Sequence, residues 1–214
     1  YSTAAMNPTL PFHKTGNGWQ RNGNASQIGP TEPLLFERND EKNLTFNSHL
    51  QLSLQLTHNL HLAALGSYSY TSTENGRFAP TWVWAQGLAY RGERKTEDIL
   101  GNISLDWKYR WGINNLSATI LAEYQKKKIA AFWTQVKGLT NNYFGYDNLG
   151  AASDRPYGGT GSSYADPSLA SFMGTLTYTL LDRYTLNLTT RADGSSMVGK
   201  DHTWGIFPSI SATW

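Results

Sequence analysis

The 214-residue chain contains no cysteine, only 16% charged residues, and no apolar run long enough for a membrane-spanning helix. The missing cysteines exclude a disulfide framework and thiolate metal sites, but leave the compartment open. The missing apolar run excludes a helical membrane protein, because a spanning helix needs ~20 consecutive apolar residues. Charge imbalance is lacking too: 18 basic and 16 acidic residues leave a net +2, too small and too evenly spread for nucleic acid to be the main partner. No P-loop, G-x-S-x-G, H-E-x-x-H or strand-linked G-x-G-x-x-G occurs. The chain therefore reads as a non-enzyme, with no catalytic residue, metal ligand or cofactor expected. His49 and His61 fall on polar strand positions and read as ordinary wall residues.

What is present is alternation. In NLTFNSHLQLSLQLTHN (43 to 59), Leu44, Phe46, Leu50, Leu52, Leu54 and Leu56 share one parity, while Thr45, Asn47, His49, Gln51, Ser53, Gln55 and Thr57 take the other. The period of two predicts a long strand with one apolar and one polar face. A tight turn at 57 to 59 leads to a partner strand, so 43 to 72 forms a hairpin. Segments 99 to 125 and 170 to 193 repeat the pattern, turning at 112 to 115 and 181 to 183, and 204 to 214 opens a seventh strand. The connections at 73 to 98 and 126 to 169 are far longer than ordinary hairpin loops, and 1 to 42 reads as a further loop.

Four features favour lipid, rather than a protein core, against the apolar face. Short turns alternate with long loops, as in outer-membrane barrels with periplasmic turns and extracellular loops. Most strands reach the ~9 to 11 residues that a spanning strand requires. In strand interiors Asp106, Lys108, Arg110, Glu123 and Arg191 all take the polar parity, and a Lys or Arg at the lipid midplane would cost ~2 to 4 kcal/mol. Aromatics form two girdles, with Trp107, Tyr109, Trp111, Tyr178 and Tyr184 near the short turns and Tyr68, Tyr70 and Tyr124 near the long loops. A mean hydropathy of -0.47 fits, since only alternate residues meet lipid. The predicted fold is all-β: a segment of a large antiparallel transmembrane β-barrel. Because single-chain barrels have even strand counts, seven strands read as part of a larger sheet. The rival is a soluble carbohydrate-binding β-sandwich, whose leucine face would pack on a second sheet; a passive diffusion porin is the other alternative.

Candidate contact residues lie in the loops. Trp82, Trp84, Tyr90, Phe132, Trp133, Tyr143, Phe144 and Tyr146 occur among Asn, Gln and Gly. Flat rings beside amides suit sugar rings or extended peptides; the competing role is to pack the loops on one another or on a partner. Asn47, Gln51, Gln55, Asn102 and Asp106 are expected to face a hydrated lumen.

The stretch RYTLNLTTRADGSSMVGKDHTWGIFPSISATW (183 to 214) resembles the barrel signature of SusC/RagA TonB-dependent outer-membrane transporters. The matching elements are Arg191, Asp193 to Ser196, Trp204, Gly205, Phe207 to Ser209, Ser211 and Trp214, with similar pieces at NPTLP (7 to 11), LAEYQKKK (121 to 128) and YDNLGAA (146 to 152). The resemblance implies a bacterial outer-membrane importer of oligosaccharides or peptides, built on a barrel of about 22 strands. It implies a SusD-like lipoprotein as lid and a TonB complex engaged through a plug domain that this chain does not include. The DGSS turn and FPS segment read as architectural, with Pro208 expected at a strand start or an irregular edge.

Overall fold

The computed structural model describes Lys14–Thr15, Gly18–Trp19 and residues 31 to 199 and 204 to 214. The NPTLP motif, His13, His202 and most of the predicted loop at 1 to 42 lie outside the described residues. In chain order the elements are β1 (Lys14–Thr15), β2 (Gly18–Trp19), α1 (Thr31–Phe36), β3 (Arg38–Thr57), β4 (Leu60–Ala79), β5 (Leu88–Trp111), β6 (Asn114–Lys137), β7 (Thr160–Ala165), β8 (Ser168–Leu180), β9 (Tyr184–Ser195) and β10 (Trp204–Thr213). β1 and β2 pair with each other, and the rest form one eight-stranded sheet in the order β10-β9-β8-β6-β5-β4-β3, with β7 alongside β6. The fold is a stretch of antiparallel barrel wall that does not close on itself.

Several strands run farther than the alternation predicts. β4 continues to Ala79 and β5 begins at Leu88, which reduces the connection expected at 73 to 98 to residues 80 to 87. β6 runs to Lys137, so Lys126, Lys127 and Lys128 lie mid-strand, and β7 occupies part of the loop expected at 126 to 169. The cause is physical. A strand alternates only while its two faces meet different surroundings, and segments such as YRGERKTED (90 to 98) are polar on both parities. Ladder hydrogen bonds do not need that contrast.

The chain divides into two compact units. One comprises Thr45–Thr71, Lys95–Ala130 and Tyr164–Trp214. In it β6 pairs β8 with Leu116 opposite Tyr178 and Ala122 opposite Phe172, β8 pairs β9 with Leu176 opposite Leu188, and β10 places Ile210 opposite Leu188. Even-numbered apolar residues of β6, β8, β9 and β10 thus share a face. That face has no protein cover within the unit: Leu50 is 67% exposed, Ile120 64% and Ile210 71%. Among the described residues of this unit no second sheet packs on that face. Trp107, Tyr109 and Trp111 stack in a column, with centroids 5.8 and 5.4 Å apart. The turn between β8 and β9 holds Leu181 and Asp182 in the left-handed region, at φ 58° and 50°.

The other unit comprises the described residues up to Leu44 with Ser72–Arg94 and Ala131–Ser163. Its small core is built from Phe78, Ala79, Val83, Ala89, Val136 and Ala152. Leu139, Tyr146 and Leu149 pack against part of it.

Candidate functional site

The polar face of the first unit is a hydrogen-bonded wall. Across β3 to β6, Ser53 Oγ lies 2.7 Å from His61 Nε2, His61 Nδ1 lies 3.9 Å from Asp106, and Thr119 donates to Asp106 over 2.6 Å. These residue types are those of a hydrolytic triad, but the arrangement fits a wall. The His61–Asp106 separation exceeds a hydrogen bond, and Ser53 sits mid-strand on an extended backbone rather than at a turn or helix start where N–H groups converge on an oxyanion. Asn47 accepts from Ser69 over 2.7 Å, and Gln55 donates to the Thr57 carbonyl over 2.6 Å at the turn. Gln51 is exposed on the parity of Asn47, and half-buried Asn102 shares that of Asp106.

Farther along the sheet the same face carries a ladder of hydroxyls. Thr175 meets Thr189 at 3.2 Å, Thr179 meets Thr185 at 3.1 Å, and Thr177 donates to Asn187 over 3.4 Å. Its upper end is braced by Arg191, whose guanidinium donates to Asp193 over 2.7 Å and to the buried Ser171 over 3.1 Å. This accounts for the R-x-D part of the motif. Gly194 pairs with Trp204, whose ring would sit 2.7 Å from a Cβ there, so a close approach fixes both residues. Pro208 lies in the middle of β10, opposite Thr190, rather than at a strand start, and β10 is the outermost of the described strands.

In the second unit the aromatic candidates fall into separate groups. Tyr90 and Trp133 stack at 6.3 Å with 23° between planes, each lying over a glycine, Gly92 and Gly161 respectively. Tyr143 and Phe144 form an edge-to-face pair at 5.1 Å, with Tyr143 89% exposed. Trp82 meets Phe36 edge-on at 5.9 Å, and Trp84 Nε1 donates to Glu37 over 2.5 Å. Phe132 is exposed. Tyr146 is engaged elsewhere: its hydroxyl donates to Asp40 over 2.5 Å, Arg38 lies 5.1 Å from the ring centroid, and the ring covers Gly76. The Tyr146 hydroxyl, followed by the Arg38 guanidinium, holds Asp40 below the usual carboxylate range. The same hydrogen bond, with burial, raises Tyr146. Sequence reasoning missed this clamp because Arg38 and Asp40 precede Tyr146 by more than 100 positions and carry no local motif. Among the described residues no group of His, Asp and Glu could hold a metal ion.

No family model matches the chain. The chain is 26% identical over 216 residues to the TonB-dependent receptor P3 of Formosa agariphila, an alignment covering 97% of this chain and 21% of that protein. It is 49% identical over 47 residues to SusC of Bacteroides thetaiotaomicron, covering 22% of the chain and 5% of SusC. In fold it matches the RagAB peptide transporter with a TM-score of 0.76 at 17% identity, covering 91% of this chain and 22% of that one. In sequence and fold the chain is similar to a barrel segment of SusC/RagA TonB-dependent proteins. It spans about a fifth of the first of these relatives. The proteins that this SusC/RagA-like segment resembles are receptors and transporters, in keeping with the non-enzyme reading.

Proposed function

We propose that the chain forms part of the wall of a bacterial outer-membrane nutrient importer, which takes up oligosaccharides or peptides. The observation that carries this reading is the segregation of the two sheet faces: hydrogen-bonded polar groups on one, and on the other uncovered apolar side chains with no formal charge from Leu44 to Leu56, Ile99 to Trp111, Leu116 to Tyr124 and across β8 to β10. Lipid accepts the second and a hydrated lumen the first. Uptake is TonB-dependent through parts of the protein outside these residues, and a SusD-like lipoprotein closes the outer mouth. The stacked Tyr90 and Trp133 supply a flat platform for a sugar ring or a planar peptide group, with the exposed Tyr143 and Phe144 as a second contact.

Deleting the gene in its native host and measuring uptake of labelled oligosaccharides and oligopeptides tests this. The expected outcome is loss of uptake of one class, restored by the intact gene but not in a strain without TonB. Unchanged uptake of every class by the deletion strain overturns the reading.

A further inference from the structure

Two open apolar grooves lie on the uncovered face of the first unit, in consecutive rows of β8, β9 and β10, the second reaching Ala118 and Ile120 of β6 as well. The first, of about 430 Å³, is lined by Tyr178, Tyr184, Leu186, Ala212 and Trp214. The second, of about 630 Å³, begins one row farther on, at Leu176, Leu188 and Ile210, and continues to Gly174, Thr190 and Pro208. Its floor is low because Gly174 has no side chain among bulky neighbours, as Ala212 does for the first. From Trp214 to Pro208 the rows extend about 20 Å at ~3.4 Å per residue. That length holds one acyl chain across its half of the ~30 Å hydrocarbon core.

A cation stands at the end nearest the short turn. The Arg183 guanidinium lies 5.7 Å from the ring centroid of Tyr184, which lines the first groove. Its neighbour Asp182 is turned to the polar face, where it accepts from Arg110 over 3.0 Å and Asn115 over 2.7 Å. Among the described residues Arg183 has no carboxylate partner.

We infer that this groove is a binding site for one membrane glycerophospholipid, its phosphate on Arg183 and an acyl chain along β8, β9 and β10. Arg matches a phosphate diester in charge and hydrogen-bond geometry, and the stacked Tyr184 ring preorganises the guanidinium. An aromatic girdle at this level puts Arg183 at headgroup depth. Bulk lipid alone would not require a cation at the mouth of an acyl-length groove. The inference rests on the reading that the apolar face meets lipid, within the leaflet on the side of the short turns.

The test is native mass spectrometry of the whole protein extracted in mild detergent, counting retained phospholipids as collision energy rises. The intact protein is expected to keep one phospholipid. Arg183→Gln and the groove-filling Ala212→Trp are each expected to reduce that population about tenfold, the first by losing a charge-assisted hydrogen bond to the phosphate, the second by covering about two methylenes of acyl contact. Ala64→Trp, on the same face of β4, is expected to retain it. Equal retention by the intact protein and both groove variants overturns the site. Phospholipids brominated on their acyl chains separate this outcome from failure of the wider reading. If they do not quench Trp107 and Trp111 in the reconstituted intact protein, the apolar face is not in lipid at all. Quenching together with unselective retention places the face in lipid and refutes the groove.

Discussion

At the scale of single residues the clamp around Tyr146 gives the sharpest expectations. A Cβ at Gly76 would lie 2.5 Å from the Tyr146 ring, so Gly76→Ala must displace that ring at a cost of about 1 to 3 kcal/mol. Hydrogen exchange of residues 139 to 152 is then expected to accelerate roughly 5- to 150-fold, whereas Gly66→Ala, where nothing lies within 4 Å, is expected to change little there. The clamp is pH-dependent with a defined sign. Asp40 is held low, so its contribution is present above the ordinary carboxylate pKa of ~3.9 and is lost as pH falls through the lowered value. Tyr146 is raised, so its contribution is present below ~10 and is lost as pH climbs through the raised value. Exchange in this segment should therefore be slowest and flat between about pH 5 and 9 after correction for intrinsic rates, and Tyr146→Phe should abolish the loss on the alkaline side and lessen it on the acid side, where Arg38 still pairs with Asp40. A pH profile unchanged in Tyr146→Phe would refute the clamp. For the platform, Trp133→Ala is expected to weaken cargo binding by about 3- to 10-fold through loss of stacking, measured by calorimetry on the whole protein. Equal affinity would move the contact away from β6.

At the scale of elements the facing of β3 is open to direct test. Leu52 and Gln51 are adjacent and both exposed in the isolated sheet, yet they belong to opposite faces. Leu52→Arg is expected to cost ~2 to 4 kcal/mol near the lipid midplane and to lower the amount of heat-resistant folded barrel in the outer membrane, while Gln51→Arg is tolerated. Equal tolerance would mean that the leucines do not meet lipid. The same contrast explains what was legible in the sequence. β3, β4, β5, β6, β8 and β9 announce themselves between Leu44 and Ala192 wherever one face is apolar, and their turns follow from the breaks in alternation. The outer reaches of β4, β5 and β6 were not legible, because water on both sides leaves no period to read. β7, with the sequence TGSSYA, is too short and polar to signal a strand. The aromatic candidates were visible as residue types, but the pairing of Tyr90 with Trp133 and the diversion of Tyr146 to Asp40 depend on strand register and long-range contact.

At the scale of the whole molecule the two outer strands decide between membrane and solution. β3 and β10 end the sheet and offer a row of backbone N–H and C=O groups on their outer edges. In water such an edge is hydrated and costs little; within hydrocarbon each unsatisfied group costs several kcal/mol. A sheet with its leucine face in lipid therefore requires a further strand against each edge, whereas a soluble sheet does not. Those strands would be hydrogen-bonded to residues 45 to 57 on one side and to 205 to 213 on the other. Hydrogen exchange on the whole protein in detergent micelles reads this directly. Amides of β3 and β10 that face outward are expected to be protected as strongly as those of β8 and β9, which pair on both sides here. Exchange at the rate of an exposed edge in a detergent-free, monomeric protein would show that β10 is a true edge in water. The apolar face would then have to be covered by another protein surface, and the importer reading would fall with it.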